Sequence, residues 1–225
     1  MNHNSKIIEL YDLKGKDDIR FSPPCWTVKL CMWHKKIQFK TTPVGFSEKY
    51  KIKFSQQSLV PVIKYKNDVV FDSWNIICWL DKNFSQKKLL KNDQIKSFAH
   101  FLYFWVQRQL QPIIFQIIGN EIKNILEGDD LDFFIKSREQ RIGKPLSSLL
   151  EHRDKSIDQF NKILIPIKKV LEKQSFLTGK TIGLPDFIMF GPFIWLEKCS
   201  DYKEFQSDEK LYFWYQSIKK AFGIK

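Results

Sequence analysis

The most chemically suggestive stretch of the sequence is Ser22-Pro23-Pro24-Cys25, where a hydroxyl and a thiol lie three residues apart. Two consecutive prolines cannot lie inside a helix, but the first helical position tolerates proline because its amide has no intrahelical partner. Ser22 is a good N-cap residue, and the apolar run after Cys25 predicts a buried helix. Because a helix N-terminus is electropositive, Ser22 or Cys25 could hold or stabilise an anion there, including a thiolate.

Two further sites lie where other elements should begin. Asp72-Ser73 precedes residues 74–81, whose apolar side chains recur at helical spacing, and both residues are good helix caps. Val60-Pro61 opens a β-rich run. A proline at that position predicts an edge or irregular start and, with a cis bond, a tight corner.

The elements around these sites predict a small mixed sheet. β-branched and aromatic residues mark four strands, at residues 6–13, 37–42, 59–65 and 69–71. The helix after Ser22 connects the first two strands, which should therefore pair in parallel. The turn at residues 66–68 predicts an antiparallel hairpin between the last two. With a short helix in residues 47–54 and the helix after Asp72-Ser73, the predicted order is β-α-β-α-β-β-α.

The rest of the sequence predicts helices. Residues 85–93 are polar and Lys-rich, which indicates a linker. Helical patterns then mark five segments, at residues 93–127, 131–143, 149–174, 184–199 and 207–222. Pro112 should kink the first segment and Pro166 the third. The fourth begins at Gly183-Leu184-Pro185-Asp186, where the Asp186 side chain can bond back to the cap amide.

These patterns predict two domains, an α/β domain at residues 1–85 and an all-helical domain at residues 93–225. A chain of 225 residues is long enough for two ordinary domains. Its 20 Phe and 7 Trp residues provide ample bulk for the cores.

The chain is strongly basic, with a net charge of +12 and a pI near 9.4. Nucleic acids and acidic membranes attract such proteins. The lysines are dispersed, however, and form nothing longer than pairs, which is typical of a solvated surface. We therefore predict no nucleic-acid partner, although the charge can help to attract small anionic substrates.

Other features predict a cytoplasmic protein without metal or membrane. No run approaches the roughly 20 apolar residues of a membrane helix, and the N-terminus lacks the pattern of a signal peptide. The four cysteines are far apart and indicate reduced thiols: Cys25, Cys31, Cys78 and Cys199. The four histidines are scattered and form no zinc motif.

Taken together, this order of elements resembles the glutathione transferase family over essentially the whole chain. The most specific segments are Phe21-Ser22-Pro23-Pro24-Cys25-Trp26, Val60-Pro61-Val62-Ile63, Phe71-Asp72-Ser73-Trp74-Asn75-Ile76 and Gly183-Leu184-Pro185-Asp186. Within the family, the Ser-Pro-x-x-Trp start and the Asp-Ser-Trp cap are most similar to the bacterial β-etherase and related fungal branch. The resemblance implies a thioredoxin-like domain followed by a helical domain, a homodimer, a role in detoxification, and glutathione as co-substrate.

The resemblance also implies roles for the sites above. Ser22 would donate a hydrogen bond to the sulfur of glutathione, which favours the thiolate and lowers the thiol pKa. Val60, at the Pro61 corner, would pair its backbone with the cysteinyl residue. Ser73 would bind the γ-glutamyl carboxylate and Asp72 would face the γ-glutamyl ammonium group.

The expected reaction is attack of glutathione on a hydrophobic or aromatic electrophile, by conjugation or by displacement of an ether or halide. Candidates for the acceptor pocket are Tyr11, Phe21, Trp105, Arg108 and Phe115. Candidates for the base that binds the glycyl carboxylate are His34, Lys40, Lys49 and Lys53.

Two other functions fit the same sequence. Cys25 could serve a glutathione-dependent thiol or peroxide reductase, although Ser22 occupies the place of the first cysteine in a redox pair. Alternatively, the protein could be a non-catalytic carrier of hydrophobic ligands or an interaction protein with this fold.

Overall fold

The computed structural model describes residues 7–202 and 204–225. His3, and the predicted start of the first strand at Lys6, lie outside these residues. Within them, no helix combines the length and the apolar character needed to cross a membrane. The same residues contain no group of three or more His, Cys, Asp or Glu side chains that could hold a metal ion.

A four-stranded sheet forms the first part of the molecule. Its strands are β1 (Ile8–Leu13), β2 (Phe39–Val44), β3 (Val62–Tyr65) and β4 (Asp68–Phe71). The spatial order is β2-β1-β3-β4, with β1 and β2 parallel and β3 antiparallel to both β1 and β4. This arrangement confirms the predicted crossover and hairpin. Helix α1 (Pro23–His34) makes the crossover, and α2 (Ser73–Asn83) follows β4.

Two details of this part differ from the predicted elements. The second helix of the predicted order is a 3-10 helix, Lys49–Ser55, in which only Ile52 and Ser55 are buried. So little buried surface, with no side-chain cap at Glu48, gives a regular α-helix little support. Strand β2 continues through Pro43, opposite Asp12 of β1. Because β2 lies at the edge of the sheet, the missing N–H of the proline is tolerated.

The remainder of the described chain is helical. Its α-helices are α3 (Asp93–Trp105), α4 (Gln111–Ile118), α5 (Gly128–Ile142), α6 (Arg153–Ile163), α7 (Ile165–Leu171), α8 (Leu184–Cys199) and α9 (Glu209–Phe222). Short 3-10 helices lie at Glu121–Ile125, Leu146–His152 and Glu204–Ser207. The predicted bounds of α8 match the observed ones.

The long helix predicted for residues 93–127 is interrupted before Pro112. A π-helical segment, Val106–Leu110, joins α3 to α4, and the N–H of Gln111 donates to the carbonyl of Val106, five residues back. Pro112 lies in the first turn of α4 and has no N–H to offer to the preceding turn. The π-helical turn therefore lies immediately before the proline, where the regular hydrogen-bond pattern of an α-helix cannot continue.

The segment predicted as one kinked helix at residues 149–174 is two helices, α6 and α7. Leu164 separates them, and Pro166 lies in the first turn of α7. A proline cannot donate to the preceding turn, so the second helix begins anew at Ile165.

Helix α8 positions α1 because the two pack at very short range. A Cβ atom at Gly191 of α8 would lie 2.5 Å from the carbonyl oxygen of Pro23 in the first turn of α1. The Thr27 hydroxyl of α1 also donates to the carbonyl of Phe187 on α8 (3.3 Å). The absence of a side chain at position 191 is therefore a condition for this approach.

A buried ion pair fixes the predicted linker to both neighbouring helices. Lys35, the C-cap of α1, has a fully buried side chain whose Nζ lies 2.7 Å from Oδ1 of Asp81 on α2. Asp81 also accepts hydrogen bonds from the N–H groups of Leu89 and Leu90, and Lys35 donates to the carbonyl of Gln86. The linker is therefore tied to the sheet domain by charge-assisted hydrogen bonds.

Candidate active site

The start of α1 leaves one hydroxyl with little to bind. Pro23 and Pro24 carry no N–H, and the N–H of Trp26 donates to the Ser22 carbonyl (3.0 Å). The Ser22 hydroxyl accepts a hydrogen bond from the N–H of Cys25 at 3.5 Å, which is beyond the usual range for such a bond. The hydroxyl also forms a hydrogen bond with the thiol of Cys25, which acts to lower the pKa of that thiol. Because a thiol is a weak acceptor, the hydroxyl proton can turn to a stronger one, although Ser22 is only 5% exposed.

Ser22 lies on the wall of a cavity of about 520 Å³. The cavity is enclosed by the start of α1, the segments after β1 and β2, the α3–α4 junction, and α5. Its wall is mainly apolar and includes five aromatic side chains: Phe21, Phe46, Phe115, Phe134 and Trp195. A cavity of this size and character is typical of sites for small organic ligands.

Only part of the predicted acceptor pocket lies at this cavity. Phe21 and Phe115 line it, whereas Tyr11, Trp105 and Arg108 do not. Arg108 is exposed. At the junction of α3 and α4, the residues that line the cavity are Gln107 and Gln111 instead.

Tyr11 and Trp105 belong to packed regions elsewhere. Tyr11 lies in a small buried cluster with Val44, Ile52 and Val62, its ring 5.1 Å from that of Phe54. Trp105 is half-buried and packs against the main core.

The start of α2 forms a hydrogen-bonded group that the sequence analysis only partly predicted. Oδ1 of Asp72 accepts from the N–H groups of Trp74 (3.0 Å) and Asn75 (3.1 Å), which confirms the predicted cap. Oδ2 of Asp72 accepts from the hydroxyl of Tyr103 on α3 (3.0 Å). The buried Ser73 hydroxyl donates to the same Tyr103 oxygen (3.3 Å). Tyr103 therefore orients both residues of the pair.

The Val60–Pro61 bond is cis and immediately precedes β3. Val60 is half-buried against the cluster around Tyr11. Among the described residues, neither its N–H nor its carbonyl forms a backbone hydrogen bond. Both groups can therefore pair with an extended peptide.

Two family models match this chain, and together they span most of it. One, described as "Glutathione S-transferase, N-terminal domain", matches residues 21–83. The other, "Glutathione S-transferase, C-terminal domain", matches residues 97–214, more than half of the chain. This chain belongs to the glutathione S-transferase family. It is a glutathione transferase, and glutathione is its co-substrate.

Solved structures of other transferases share the fold over nearly the whole chain. Glutathione transferase GSTFuA3 from Phanerochaete chrysosporium is 21% identical, with a TM-score of 0.83 and coverage of 97% of this chain and 96% of that one. Transferase CsGST63524 of Ceriporiopsis subvermispora, solved in complex with glutathione, is 18% identical, with a TM-score of 0.82 and 96% coverage of each chain. Poplar glutathione transferase F1 is 17% identical, with a TM-score of 0.69 and coverage of 96% and 93%.

In this transferase Cys25 is poorly suited to a redox role. Its side chain is fully buried, and burial together with the charge of Asp12 raises the pKa of its thiol well above the usual range. The thiol is therefore protonated near neutral pH and shielded from substrates.

His34 and Lys40 have positions that do not suit the glycyl carboxylate. His34 ends α1, about 18 Å along the helix from Ser22 at 1.5 Å per residue. Its ring packs against Phe187, 5.4 Å away. Lys40 forms an ion pair with Glu9 (3.4 Å) on the neighbouring strand.

Lys49 and Lys53 are placed differently. Both line a shallow groove of about 480 Å³ whose wall also includes Ser58, two residues before Val60. Burial lowers the pKa of Lys49, and the charge of Arg138 lowers it further. These two lysines remain candidates for the carboxylate at that end of glutathione.

Three side chains of this region were not predicted from the sequence. Tyr103 orients the Asp72-Ser73 pair, and Arg138 and Arg141 of α5 line the cavity beside Ser22. The two arginines are one helical turn apart, on the face that also carries Phe134 and Ile142. That spacing was a readable signal, because charged residues on the apolar face of a helix are rarely structural without partners.

Proposed function

We propose that Ser22 activates glutathione by donating its hydroxyl hydrogen bond to the thiol sulfur. The observation that carries the proposal is the state of this hydroxyl: it lies at the N-terminus of α1, beside a cavity, and its contacts are weak ones, to the N–H of Cys25 at 3.5 Å and to the Cys25 thiol. A hydrogen bond to the charged form favours the thiolate, so the thiol pKa falls. The helix N-terminus adds to this effect.

The rest of the glutathione molecule is proposed to bind to the polar groups described above. The free backbone groups of Val60 pair with the cysteinyl residue, and the Asp72-Ser73 pair binds the γ-glutamyl end. Tyr103 holds that pair in place. Lys49 or Lys53 binds the glycyl carboxylate. The KM for glutathione, measured in Lys49→Gln and in Lys53→Gln, distinguishes the two: a several-fold rise in one variant identifies the residue.

The acceptor is proposed to be a hydrophobic or aromatic electrophile bound in the cavity. The sulfur forms a bond to the electrophilic carbon. In displacement, the carbon–halogen or carbon–oxygen bond breaks and the leaving group departs with the electron pair. In conjugate addition, the resulting carbanion takes a proton from water. The protein supplies position and electrostatics, and glutathione supplies the nucleophile.

Glutathione binding and turnover of Ser22→Ala test this function. The expected result is a higher pKa for the bound thiol, read from the ultraviolet absorbance of the thiolate, and a lower kcat. Ser156→Ala is the matched control, because Ser156 has the same 5% exposure and lies on α6, where its hydroxyl donates to a backbone carbonyl. Unchanged turnover in Ser22→Ala would remove Ser22 from the mechanism. Tight binding of aromatic ligands without glutathione affinity would indicate a carrier instead.

We also propose that the protein acts in the cytoplasm as a homodimer. Helix α3 and strand β4 expose several large apolar side chains: Phe71, Phe98, Phe101 and Phe104, each between 41% and 65% exposed. Contiguous exposed apolar side chains favour association. Sedimentation of the wild type and of Phe101→Glu tests this: a dimer that dissociates in the variant supports it, and a monomeric wild type contradicts it.

A further inference from the structure

We propose that the acceptor cavity selects an aromatic compound that carries an anionic group, held by Arg138 and Arg141. This inference rests on the proposed function, since it assumes that the cavity beside Ser22 holds the acceptor. It adds the charge of the substrate, which neither the family nor the aromatic walls specify.

Arg138 is a half-buried cation enclosed by aromatic rings. Its guanidinium carbon lies 5.4 Å from the centre of the Phe46 ring and 5.3 Å from that of Phe134. Its one hydrogen bond among the described residues goes from Nη1 to the hydroxyl of Ser137 (3.2 Å). Ring faces attract a cation, but they do not satisfy the five N–H donors of a guanidinium.

Arg141 lies one turn further along α5, nearer to solvent. Its guanidinium carbon is 5.1 Å from the centre of the Phe115 ring. The two arginines therefore present positive charge at two depths of one cavity. Burial lowers the pKa of Arg138, and the charge of Arg141 lowers it further, as expected for neighbouring cations with no anion between them.

The counter-ion for these two charges is not in the described part of the chain. The cavity wall includes no Asp or Glu there, and neither arginine forms a salt bridge. Among the acids of α5, Glu139 accepts from the N–H of Leu146, Asp130 accepts from Ser47, and Asp129 and Asp132 are exposed and do not line the cavity. A half-buried cation without a partner is costly, and an incoming anion removes that cost.

The shape of the cavity specifies the rest of the ligand. Flat aromatic walls suit an aromatic body, and a guanidinium binds a planar carboxylate through two parallel hydrogen bonds. An aryl carboxylate, with its reactive carbon towards Ser22 and its anion towards α5, satisfies both. Lys49 adds a third positive charge near Arg138.

Two matched chloronitroarenes test the proposal. In 4-chloro-3-nitrobenzoate and the neutral 4-chloro-3-nitrobenzamide, the thiolate forms a carbon–sulfur bond and chloride leaves with the electron pair. Because a carboxamide activates the ring more than a carboxylate does, each kcat/KM is divided by the rate constant of the uncatalysed reaction with glutathione. On that scale we expect the wild type to prefer the benzoate by about tenfold, the size of one charge-assisted hydrogen bond. In Arg138→Gln this preference should fall to near parity through the KM of the benzoate. Arg141→Gln should have a smaller, more salt-sensitive effect because Arg141 is exposed.

Controls separate the proposal from a general loss of structure. Lys136→Gln removes an equal charge from an exposed position on α5 that does not line the cavity, and should keep the preference. Arg138→Lys should retain part of it. An equal loss on both substrates in Arg138→Gln would overturn the proposal. A raised KM for glutathione in that variant would also overturn it, because the arginine would then serve glutathione.

Binding of the unreactive 4-nitrobenzoate without glutathione distinguishes this proposal from the assignment of Ser22. Binding that weakens about tenfold in Arg138→Gln but not in Ser22→Ala supports an anion site, even if Ser22 proves dispensable for turnover. Binding that is absent, or equal in wild type and Arg138→Gln, overturns the anion site and leaves the role of Ser22 to its own test.

Discussion

The starts of α1 and α8 have similar residues, but the hydrogen bonds of their capping side chains differ. Both helices have proline in the first turn, and the two pack against each other at Pro23 and Gly191. At α8, the fully buried Asp186 accepts four hydrogen bonds from the chain itself, with donors Leu177 N, Gly183 N, Trp214 Nε1 and the Thr178 hydroxyl at 2.7–3.1 Å. At α1, Ser22 accepts one long bond and borders a cavity.

This difference distinguishes a structural cap from a candidate site. Every oxygen at the start of α8 is engaged by the protein, so that end contributes to stability and has no capacity for a ligand. The start of α1 has spare hydrogen-bonding capacity and space next to it. Substitutions at the two ends should therefore affect different measurements, folding at one and turnover at the other.

The largest effect is expected from Asp186→Ala. The change leaves buried donors without an acceptor, including Trp214 Nε1, and should lower the free energy of unfolding by about 3–5 kcal/mol. Urea denaturation measures it, with the exposed Asp132→Ala as control. A loss below about 1 kcal/mol would mean that the start of α8 is not a structural cap of the kind described.

Ser22→Ala should give the reverse pattern. One long hydrogen bond contributes little to folding, so the free energy of unfolding should change by less than about 1 kcal/mol. Loss of a hydrogen bond to the thiolate, about 1.5–3 kcal/mol, should reduce turnover by about 10- to 150-fold. Paired urea and kinetic measurements test both parts. If Ser22→Ala were strongly destabilised but had normal specific activity, Ser22 would be a structural cap like Asp186.

Glu197, near the C-terminus of α8, should make the stability of the folded protein depend on pH. Burial alone would raise the pKa of its carboxyl, but hydrogen bonds from Lys219 and Tyr215 outweigh it, and the pKa lies below its ordinary value of 4.5. A lowered pKa in the folded state adds stability above pH 4.5, and this is lost as the pH falls through the folded-state pKa.

Glu197→Gln should therefore lower the free energy of unfolding by about 1–2 kcal/mol at pH 7, with a smaller difference from wild type below the ordinary pKa. Denaturation at neutral and acidic pH measures the change, with the exposed Glu151→Gln as control. A difference that grows on acidification would contradict the sign.

Cys25→Ala should have the smallest effect. The thiol is buried and protonated, so its removal should keep transferase turnover within about twofold and cost about 1 kcal/mol of stability. In the native wild type, the partly exposed Cys78 should be alkylated before Cys25. Reductase activity that disappears in Cys25→Ser would contradict this expectation. The reactive group at the start of α1 would then be the Cys25 thiol and not the Ser22 hydroxyl.

Local patterns predicted much of the fold, because capping and strand signals depend on neighbours in sequence. The starts of α1, α2 and α8 and the crossover between β1 and β2 follow from such signals. The shape of the cavity depends on how distant helices are rotated. Arg108 was expected at the pocket, because the sequence does not show how α3–α4 is rotated. The spacing of Arg138 and Arg141 marks them on the apolar face of α5, but only the packed structure brings that face to Ser22. The Tyr103 contact with Asp72, 31 residues away in sequence, has the same origin.

The π-helical turn at Val106–Leu110 affects how the cavity can change in evolution. One surplus residue in a turn shifts everything after it by about 100° around the axis. Deletion of the exposed Gln109 would rotate Pro112 and Phe115 away from the cavity and place Pro112 inside a regular helix, which it would kink. A single codon gained or lost at this joint could therefore change the wall of the cavity more abruptly than any one substitution in it.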